Sequence, residues 1–370
     1  MNTKNSVLHL VNGEFYAGAE RVQDLLAMRL PELGYQVAFA SLKDGIFAEK
    51  RSAKEAPLYS VPMASQFDLT VAMKTAALIR QHGYQLLHTH SPRAALIGQF
   101  ASLQTGVPMV HHVHSPSDRD TEAGWRNFRN ASVEKFSLWR ARKLLPVSAS
   151  LEAYLHAKGY SRDRISLVCN GVPVLPVNRL AYQSGGPVVA GMVALFRPRK
   201  GVEVLLQALA QLRKENIDIR LHAVGPFETD DYQDEILTLT DSLGLSSVVT
   251  WTGFTSDVAA EFGNMNVFVL PSLYGEGMPM VVLEAMASGL PVVSTRVEGI
   301  PEVIRDGQDG VLADPEDSAD LASCLRRFAS GEILPESIGD SGRERQRELF
   351  SDVAMARGVA GVYDSILGFK

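Results

Sequence analysis

The chain is short of cysteine, of positive charge and of long apolar runs, and each shortage excludes a class of protein. Among 370 residues there are only two cysteines, Cys169 and Cys324, so no disulfide framework is predicted and a reducing compartment is favoured. The formal net charge of −6 argues against a general nucleic-acid binder, which would carry a basic excess. No run of about 18 apolar residues occurs, so no membrane-spanning helix is predicted.

Signals for export, dinucleotide binding and metal binding are also missing. The apolar run at residues 6–11 is too short for a secretory signal and has no charged start, so we expect a cytoplasmic protein. The Gly-x-Gly-x-x-Gly spacing is absent from residues 12–20, which disfavours a nicotinamide dehydrogenase. No cysteine or carboxylate recurs at metal-ligand spacing, so we expect neither a metal nor another cofactor.

What the chain does contain is a regular alternation of strand and helix patterns. Short β-branched runs alternate with amphipathic segments, as in parallel α/β layers. The predicted strands cover residues 7–11, 36–41, 86–88, 109–112, 143–147, 166–168, 188–194, 219–224, 248–251, 267–270 and 291–294. This pattern predicts an α/β fold of doubly wound parallel sheets.

The length and the position of the turn residues predict two domains. A chain of 370 residues exceeds what one hydrophobic core usually supports, and glycine and proline concentrate in residues 170–187. We therefore expect Rossmann-like domains over residues 1–172 and 187–350, with a C-terminal helix over about 351–370 packing back on the first domain. In such sheets the ligand binds at the carboxyl ends of the strands, where the strand order reverses, so we expect the site in a cleft between the two halves.

The most informative segment is the glycine-rich loop and helix of residues 271–294. Pro279 suits the first helical position, because its missing N–H would be unpaired there in any case. The amides near Met280 and Val281 would then point out of a helix N-terminus at the carboxyl edge of a sheet. Such an arrangement favours binding of a phosphate group.

Two carboxylates, Glu276 and Glu284, frame this loop. Neither is suited to contact phosphate, because like charges repel in a partly desolvated site. Glu284 could accept hydrogen bonds from a ribose and Glu276 from a donor sugar. Either residue alone could be a solvated charge, but their spacing of eight positions together with the glycines and the proline favours a functional site.

A cationic turn, with Arg197, Arg199 and Lys200, precedes a helix near residue 202. A fixed cation there could balance the charge of a leaving diphosphate, although a solvated turn is the alternative. Gly225 and Phe254 lie in two further turns of the second half, and both turns are candidate walls for a nucleotide base, or simple turns.

These motifs resemble the signature of the family 4 retaining glycosyltransferases, which have the GT-B fold. The match consists of Glu276, Gly277, Met278, Pro279 and Glu284, with the family's seven residues between its two glutamates. The resemblance implies transfer of a hexose-type sugar from a nucleotide diphosphate sugar to a glycan or lipid-linked acceptor, with retention of anomeric configuration. It also implies that Glu276 contacts the transferred sugar and Glu284 the donor ribose. A UDP-sugar is the commonest donor, and cell-surface polysaccharide or glycolipid biosynthesis is the expected pathway.

The cationic turn resembles the arginine–lysine pair of the same family. Lys200 matches the lysine, whereas the usual arginine position is occupied by Leu195. Arg197 is the substitute that we expect to share the catalytic role of Lys200.

The first half of the chain resembles the family at two further places. The run 17–20 resembles the family's Gly-Gly-Ala-Glu, and Gly18 would let the loop approach the donor phosphate. Histidines cluster at residues 88–90 and 111–114, and the resemblance implies that His114 contacts the donor sugar, with His90 as a weaker candidate. Either ring could instead form a structural hydrogen bond.

A basic and aromatic segment, residues 125–143, points to the surroundings of the acceptor. It has six basic residues against one carboxylate, interleaved with tryptophan and phenylalanine. This composition suits peripheral contact with an anionic membrane at the inner face of the plasma membrane, although a solvated helix is an equal alternative. Alternatives to transfer are a sugar-nucleotide epimerase of the same fold and a non-catalytic, two-lobed sugar-binding protein.

Overall fold

The structure is a computed structural model that describes residues 5–65, 68–116, 135–176, 180 and 186–368. The chain divides into two compact units. Unit 1 comprises Met1–Gly171 and Asp352–Lys370, and unit 2 comprises Val172–Ser351. The C-terminal segment therefore belongs to unit 1, although unit 2 precedes it in the chain.

Unit 1 contains a six-stranded parallel sheet with the order β3-β2-β1-β4-β5-β6. Its strands are β1 (Asn5–Val11), β2 (Tyr35–Ser41), β3 (Leu58–Ser60), β4 (Leu86–Thr89), β5 (Met109–Val113) and β6 (Ala141–Pro146). Its first helices are α1 (Gly18–Arg29), α2 (Phe47–Lys50), α3 (Thr70–His82), α4 (Pro92–Thr105) and α5 (Ala149–Ala157). The strand order reverses between β1 and β4, and we call the carboxyl ends of these two strands the unit 1 switch point.

Unit 2 contains a second six-stranded parallel sheet, with the order β12-β11-β10-β7-β8-β9. Its strands are β7 (Val188–Val193), β8 (Ile219–Val224), β9 (Val249–Gly253), β10 (Val267–Leu270), β11 (Val292–Thr295) and β12 (Val311–Ala313). Its helices are α6 (Val202–Lys214), α7 (Asp230–Ser242), α8 (Val258–Phe262), α9 (Met280–Ala287), α10 (Ile300–Val303), α11 (Ser318–Ala329) and α12 (Pro335–Leu349). Read from the other edge, this order repeats that of unit 1, and the unit 2 switch point lies between β7 and β10.

The central strands are buried on both faces, as parallel sheets covered by helices require. In β10 all four residues are inaccessible to solvent, and burying each such valine, leucine or phenylalanine stabilises the fold by about 1.5–3 kcal/mol. The last helix, α13 (Asp352–Leu367), packs in unit 1, where Tyr363 lies edge-on to Tyr35 with ring centroids 5.1 Å apart. The predicted doubly wound parallel α/β fold is confirmed.

One strand prediction is wrong, and two strands of the structure were not predicted. Residues 166–168 form no regular strand. They pair with β6 through only two hydrogen bonds, which the amides of Ser166 and Val168 donate to the carbonyl oxygens of Leu144 and Pro146. Conversely, the edge strands β3 and β12 were not predicted, since three residues are too few to show a period of two. Among the described residues, no helix has the length and the hydropathy needed to cross a membrane.

Candidate active site

The unit 2 switch point brings together two loops that are far apart in the sequence. One loop follows β7 and holds the cationic turn, and the other follows β10 and holds the glycine-rich segment. The amide of Leu273 donates a 2.8 Å hydrogen bond to the carbonyl of Arg199, which fixes the loops against each other. Gly201 makes this approach feasible, because a Cβ there would lie 2.1 Å from the Pro271 carbonyl oxygen.

A buried ion cluster lies where these loops meet. The Glu276 carboxylate contacts Lys200 Nζ through Oε1, which also accepts a 2.7 Å hydrogen bond from Ser272 Oγ. Arg199 Nη1 lies 3.5 Å from the same oxygen. The Glu276 and Lys200 side chains are only 6% and 12% exposed, so both charges are largely removed from water. The sequence-predicted Lys200 and Glu276 are thus in direct contact.

Burial shifts the pKa of the Lys200 amine. Removal from water lowers the pKa of its amine below the usual value, and the nearby guanidinium groups of Arg199 and Arg197 act in the same direction. The Glu276 carboxylate opposes this shift because it stabilises the ammonium form. A cation held in so dry a place interacts strongly with any anion that reaches it, since the local dielectric constant is low.

The Glu276 loop is held by a residue that sequence reasoning missed, Glu298. Its Oε2 accepts hydrogen bonds from the amides of Gly275 (3.0 Å) and Glu276 (3.2 Å). The adjacent Gly299 amide donates to the carbonyl of Glu276 at 3.0 Å. Glu298 has a positive φ of 31°, which is unusual for a residue with a side chain. No sequence signal marks such a residue, because its partners are backbone amides.

Helix α9 begins immediately after this loop. The structure places Pro279 at the N-cap, with φ −72° and ψ 121°, one residue before the predicted position. Helical geometry therefore starts at Met280, and the first amides of a helix have no partner within it. Glu284 lies inside the helix and is buried. Gly289, with φ +76°, ends the helical segment in the left-handed conformation.

Comparison with known proteins identifies the family of the chain. Residues 181–345 match the sequence profile described as glycosyl transferases group 1, and residues 16–174 match that of glycosyltransferase family 4. An MMP α-(1→4)-mannosyltransferase of Mycolicibacterium hassiacum is 30% identical over 325 residues, which cover 83% of this chain and 76% of that enzyme. The chain belongs to the family 4 glycosyltransferases.

Further relatives agree with this assignment. The capsular polysaccharide biosynthesis glycosyltransferase CapM of Staphylococcus aureus is 25% identical and matches 81% of this chain and 82% of its own length. Crystal structures of Anabaena HepE superpose with a TM-score of 0.85 for the UDP complex and 0.84 for the UDP-glucose complex. They cover 97% of this chain and 100% and 99% of HepE, at 20% and 21% identity. The predicted GT-B fold is confirmed, and the protein is a retaining-family glycosyltransferase that uses a nucleotide sugar.

In this glycosyltransferase the second predicted cation, Arg197, is placed differently from Lys200. Its Nη1 lies 3.4 Å from Glu228 Oε1, and both side chains are partly exposed. The guanidinium that reaches Glu276 is that of Arg199, which also donates to the Gly275 carbonyl at 3.1 Å. Arg199 therefore joins Lys200 in the ion cluster, and the catalytic role of Arg197 stays a prediction.

The two predicted walls of the base site lie in unit 2 of the glycosyltransferase. Gly225 has φ +131°, and a Cβ there would lie 1.8 Å from the Ala194 carbonyl oxygen, so only glycine fits. Its amide donates to the Gly253 carbonyl at 2.8 Å, which brings the ends of β8 and β9 together. Phe254 follows directly and is 69% exposed, so its ring face is accessible.

The predicted residues of unit 1 lie near the carboxyl ends of its strands. Gly18 is the first residue of α1 and is exposed, with open space where a Cβ would be. His114 follows β5, and its Nε2 lies 3.1 Å from His90 Nδ1. Burial lowers the pKa of both rings well below the usual value, and neighbouring histidines lower it further. Both imidazoles are therefore neutral near pH 7.

The predicted basic segment is described only from residue 135, and residues 117–134 lie outside the described part. Trp139 is 66% exposed at the edge of a groove of about 530 Å³. The groove is lined by four basic side chains and one carboxylate, together with one serine and one isoleucine of α13. Its lining includes Arg140, Arg142, Lys143, Arg164, Asp163, Ser365 and Ile366. The described part of the segment thus forms a cationic surface with an exposed aromatic ring.

Proposed function

We propose that this glycosyltransferase moves a hexose from a UDP-sugar to a glycan or lipid-linked acceptor in the assembly of a cell-surface polysaccharide or glycolipid. The observation that carries the donor assignment is the buried cluster of Lys200, Arg199 and Glu276 beside the N-terminus of α9. The relatives support the sugar and acceptor classes, since one is a mannosyltransferase and another is a glycosyltransferase of capsular polysaccharide biosynthesis. The HepE complexes with UDP and UDP-glucose support the donor class.

The donor diphosphate would lie at the first amides of α9, those of Met280 and Val281. Helix N-termini bind phosphate because their N–H groups and dipole favour negative charge. As the bond between the anomeric carbon and the diphosphate oxygen breaks, negative charge develops on the leaving group, and Lys200 and Arg199 would stabilise it. Two cations can supply this counter-charge, so we propose that transfer requires no divalent metal.

The two glutamates would hold the sugar and the ribose of the donor, and the turns at Gly225 and Phe254 would hold its base. Glu276 would accept hydrogen bonds from hydroxyls of the transferred sugar once Lys200 turns towards the diphosphate. Glu284 would accept from the ribose diol, and the backbone at Gly225 with the exposed ring of Phe254 would contact the base. The roles of Arg197, Gly18 and His114 stay predictions from the resemblance.

The cationic groove supports the acceptor part of the proposal. Exposed basic side chains next to an exposed tryptophan favour an anionic lipid surface, where charge attraction and interfacial burial add. We propose that the enzyme is cytoplasmic and makes peripheral contact with the inner face of the plasma membrane. In a sedimentation assay at low salt, the protein should bind phosphatidylglycerol vesicles but not phosphatidylcholine vesicles, and the double variant Arg140→Glu/Arg142→Glu should lose binding. Equal binding to both vesicle types would contradict this part.

Calorimetric titration with UDP, GDP, ADP and NAD, without added metal, tests the donor site. We expect one nucleoside diphosphate, UDP, to bind, and Lys200→Ala to weaken that binding strongly. The diphosphate would lose one of its two proposed cationic partners, and a hydrogen bond to a charged group contributes about 1.5–3 kcal/mol. Lys214→Ala, at the far end of α6, is the matched control and should bind normally. Binding of NAD alone, or of no nucleotide, would contradict the proposed donor.

A further inference from the structure

Five imidazoles share one face of the sheet at the unit 1 switch point. His9 on β1 is paired in register with His88 on β4, and paired residues of adjacent strands point to the same face. His90 lies two residues beyond His88, so its side chain returns to that face. His112 and His114 occupy the same face from β5 and the loop after it, whereas His111 alternates to the opposite face.

The innermost three rings, those of His9, His88 and His90, form a compact group. Their centroids are 4.7 Å apart for His9 and His88, 4.2 Å for His88 and His90, and 5.4 Å for His9 and His90. The three rings are between 0% and 4% exposed. Each ring offers one nitrogen such that the three nitrogens lie within 4.8 Å of one another.

Each of these three rings is anchored through one nitrogen only. His88 Nδ1 and His9 Nε2 lie 2.6 Å and 3.2 Å from the hydroxyl oxygen of Tyr363, and His90 Nδ1 lies 3.1 Å from His114. The other nitrogens, His9 Nδ1, His88 Nε2 and His90 Nε2, are buried and have no hydrogen-bond partner among the described residues. Buried polar atoms are normally paired, since an unmade hydrogen bond leaves their desolvation uncompensated.

We propose that His9, His88 and His90 bind a divalent transition-metal ion such as Zn²⁺. A metal-bound histidine usually binds the ion through one ring nitrogen and forms a hydrogen bond to an outer-shell partner through the other. Tyr363 supplies that partner for His9 and His88. Three histidines and one water complete a tetrahedral zinc site without any carboxylate. A tetrahedral site with Zn–N of about 2.0–2.1 Å brings its ligand nitrogens to ~3.3 Å from one another, so the three rings, whose nitrogens lie within 4.8 Å, would close further around the ion.

The protonation state of the rings is compatible with a metal. Burial lowers the pKa of His9 to about 3 and that of His88 and His90 well below the usual value. Neutral imidazole is the form that binds metal, so protons would not compete with the ion near pH 7. The ion would bind within unit 1 and stabilise its fold, and the proposal is independent of the donor site in unit 2.

A second triad, His90, His112 and His114, meets the same distance criterion but is less suitable. His114 is only half-buried, and the nitrogens of His90 and His114 that face each other at 3.1 Å already satisfy each other in a hydrogen bond. The two triads share His90, so they would compete for one ion. Substitution of His9 removes only the first triad, and substitution of His112 removes only the second.

The test is metal binding by the full chain after it is stripped with chelator. The protein is incubated with Zn²⁺ or Co²⁺ and desalted, and its metal content, Co²⁺ visible spectrum and melting temperature are measured. We expect one ion per chain, a tetrahedral Co²⁺ spectrum and a higher melting temperature than for the stripped protein. Tyr363→Phe should keep the stoichiometry but weaken the affinity about 10–100-fold, as loss of an outer-shell partner does.

Variants locate the ion. His9→Asn should lose the metal, whereas His111→Asn, a buried histidine on the opposite face that bonds to Thr89, should keep it. The proposal is overturned if the stripped wild-type protein retains no Zn²⁺ or Co²⁺, which needs no variant to fold. It is also overturned if His9→Asn retains the ion while His112→Asn loses it, because the second triad would then be the site.

Discussion

The two units repeat one strand order, yet their switch points hold opposite chemistry. In unit 2 the loops after β7 and β10 bring together Lys200, Arg199 and Glu276, which are charged and in contact. In unit 1 the ends of β1 and β4 bring together His9 and His88, whose pKa values are lowered by burial so that the rings are neutral. Topology thus determines where polar side chains converge, and the side chains determine which ligand can bind there. The charged unit 2 switch point suits a diphosphate, and the neutral unit 1 switch point offers nitrogen lone pairs to a metal ion.

Removing one charge from the unit 2 switch point should have the largest effect on activity. Glu276→Gln keeps the shape of the side chain but removes the charge next to Lys200. We expect kcat to fall about 10²–10³-fold, the usual loss for one electrostatic contact to the transition state, with little change in donor Kd. The matched variant Glu284→Gln should instead weaken donor binding about tenfold, as loss of a hydrogen bond to a charged group does.

Initial rates and calorimetric titration with the donor measure these two effects separately. Equal small effects on kcat and on Kd in both variants would contradict the division of roles between the two glutamates.

A pair of glycines tests how much the close approach of the two loops in unit 2 contributes to stability. Gly201 and Gly83 both have φ +69°, but a Cβ would meet the Pro271 carbonyl at Gly201 and open space at Gly83. Both alanine variants carry the left-handed strain of about 1–2 kcal/mol. Gly201→Ala should lose about 1–3 kcal/mol more of unfolding free energy, because overpacked atoms must move. Calorimetric unfolding scans compare them, and equal losses would show that the contact with Pro271 is unimportant.

Support of the Glu276 loop by Glu298 predicts a smaller effect. Glu298→Ala leaves the amides of Gly275 and Glu276 without their acceptor, at a cost of about 0.5–1.5 kcal/mol each. We expect roughly tenfold slower transfer at saturating donor, since about 1.4 kcal/mol corresponds to a factor of ten. Glu316→Ala is the control, because Glu316 is an exposed glutamate that also has a positive φ, of 63°. A decrease of similar size in both variants would point to backbone strain rather than loop support.

The lowered pKa of Lys200 predicts a modest pH dependence. Because only the ammonium form attracts a diphosphate, UDP binding should weaken as pH rises through this pKa, which lies below the usual 10.5. Lys200→Arg keeps its charge throughout this range, so its binding should not show the alkaline decrease. Binding constants for UDP measured from about pH 7 to about pH 10 compare the two proteins. The same alkaline decrease in both would exclude Lys200 as the titrating group.

Features that depend on local pattern could be predicted from the sequence. The alternation of apolar runs predicts the doubly wound sheets, which the structure shows. The spacing of Glu276 and Glu284 around a glycine-rich loop predicts a donor site, and this role stays a prediction. Contacts across the fold could not be predicted, because they join residues distant in the sequence. The Arg199 contact with Glu276 and the support of the Glu276 loop by Glu298 are of this kind.

The histidines of unit 1 are an intermediate case between these two kinds. The alternation of residues 88–90 and 112–114 places each pair of rings on one face of its strand, which the sequence could have indicated. Their approach to His9 and to Tyr363 on the last helix depends on the strand order and on the packing of α13. Spacing along the chain, which argued against a metal site, does not measure such distances.

Hydrogen–deuterium exchange with and without UDP-glucose tests the donor location most directly, because it does not assume which residues bind. We predict slower exchange of the amides in residues 196–201 and 272–284, at the unit 2 switch point, in the wild-type protein. In Lys200→Ala this protection should be lost. Saturating binding with protection confined to unit 1, or with none at residues 272–284, would contradict the central claim that the charged switch point holds the donor.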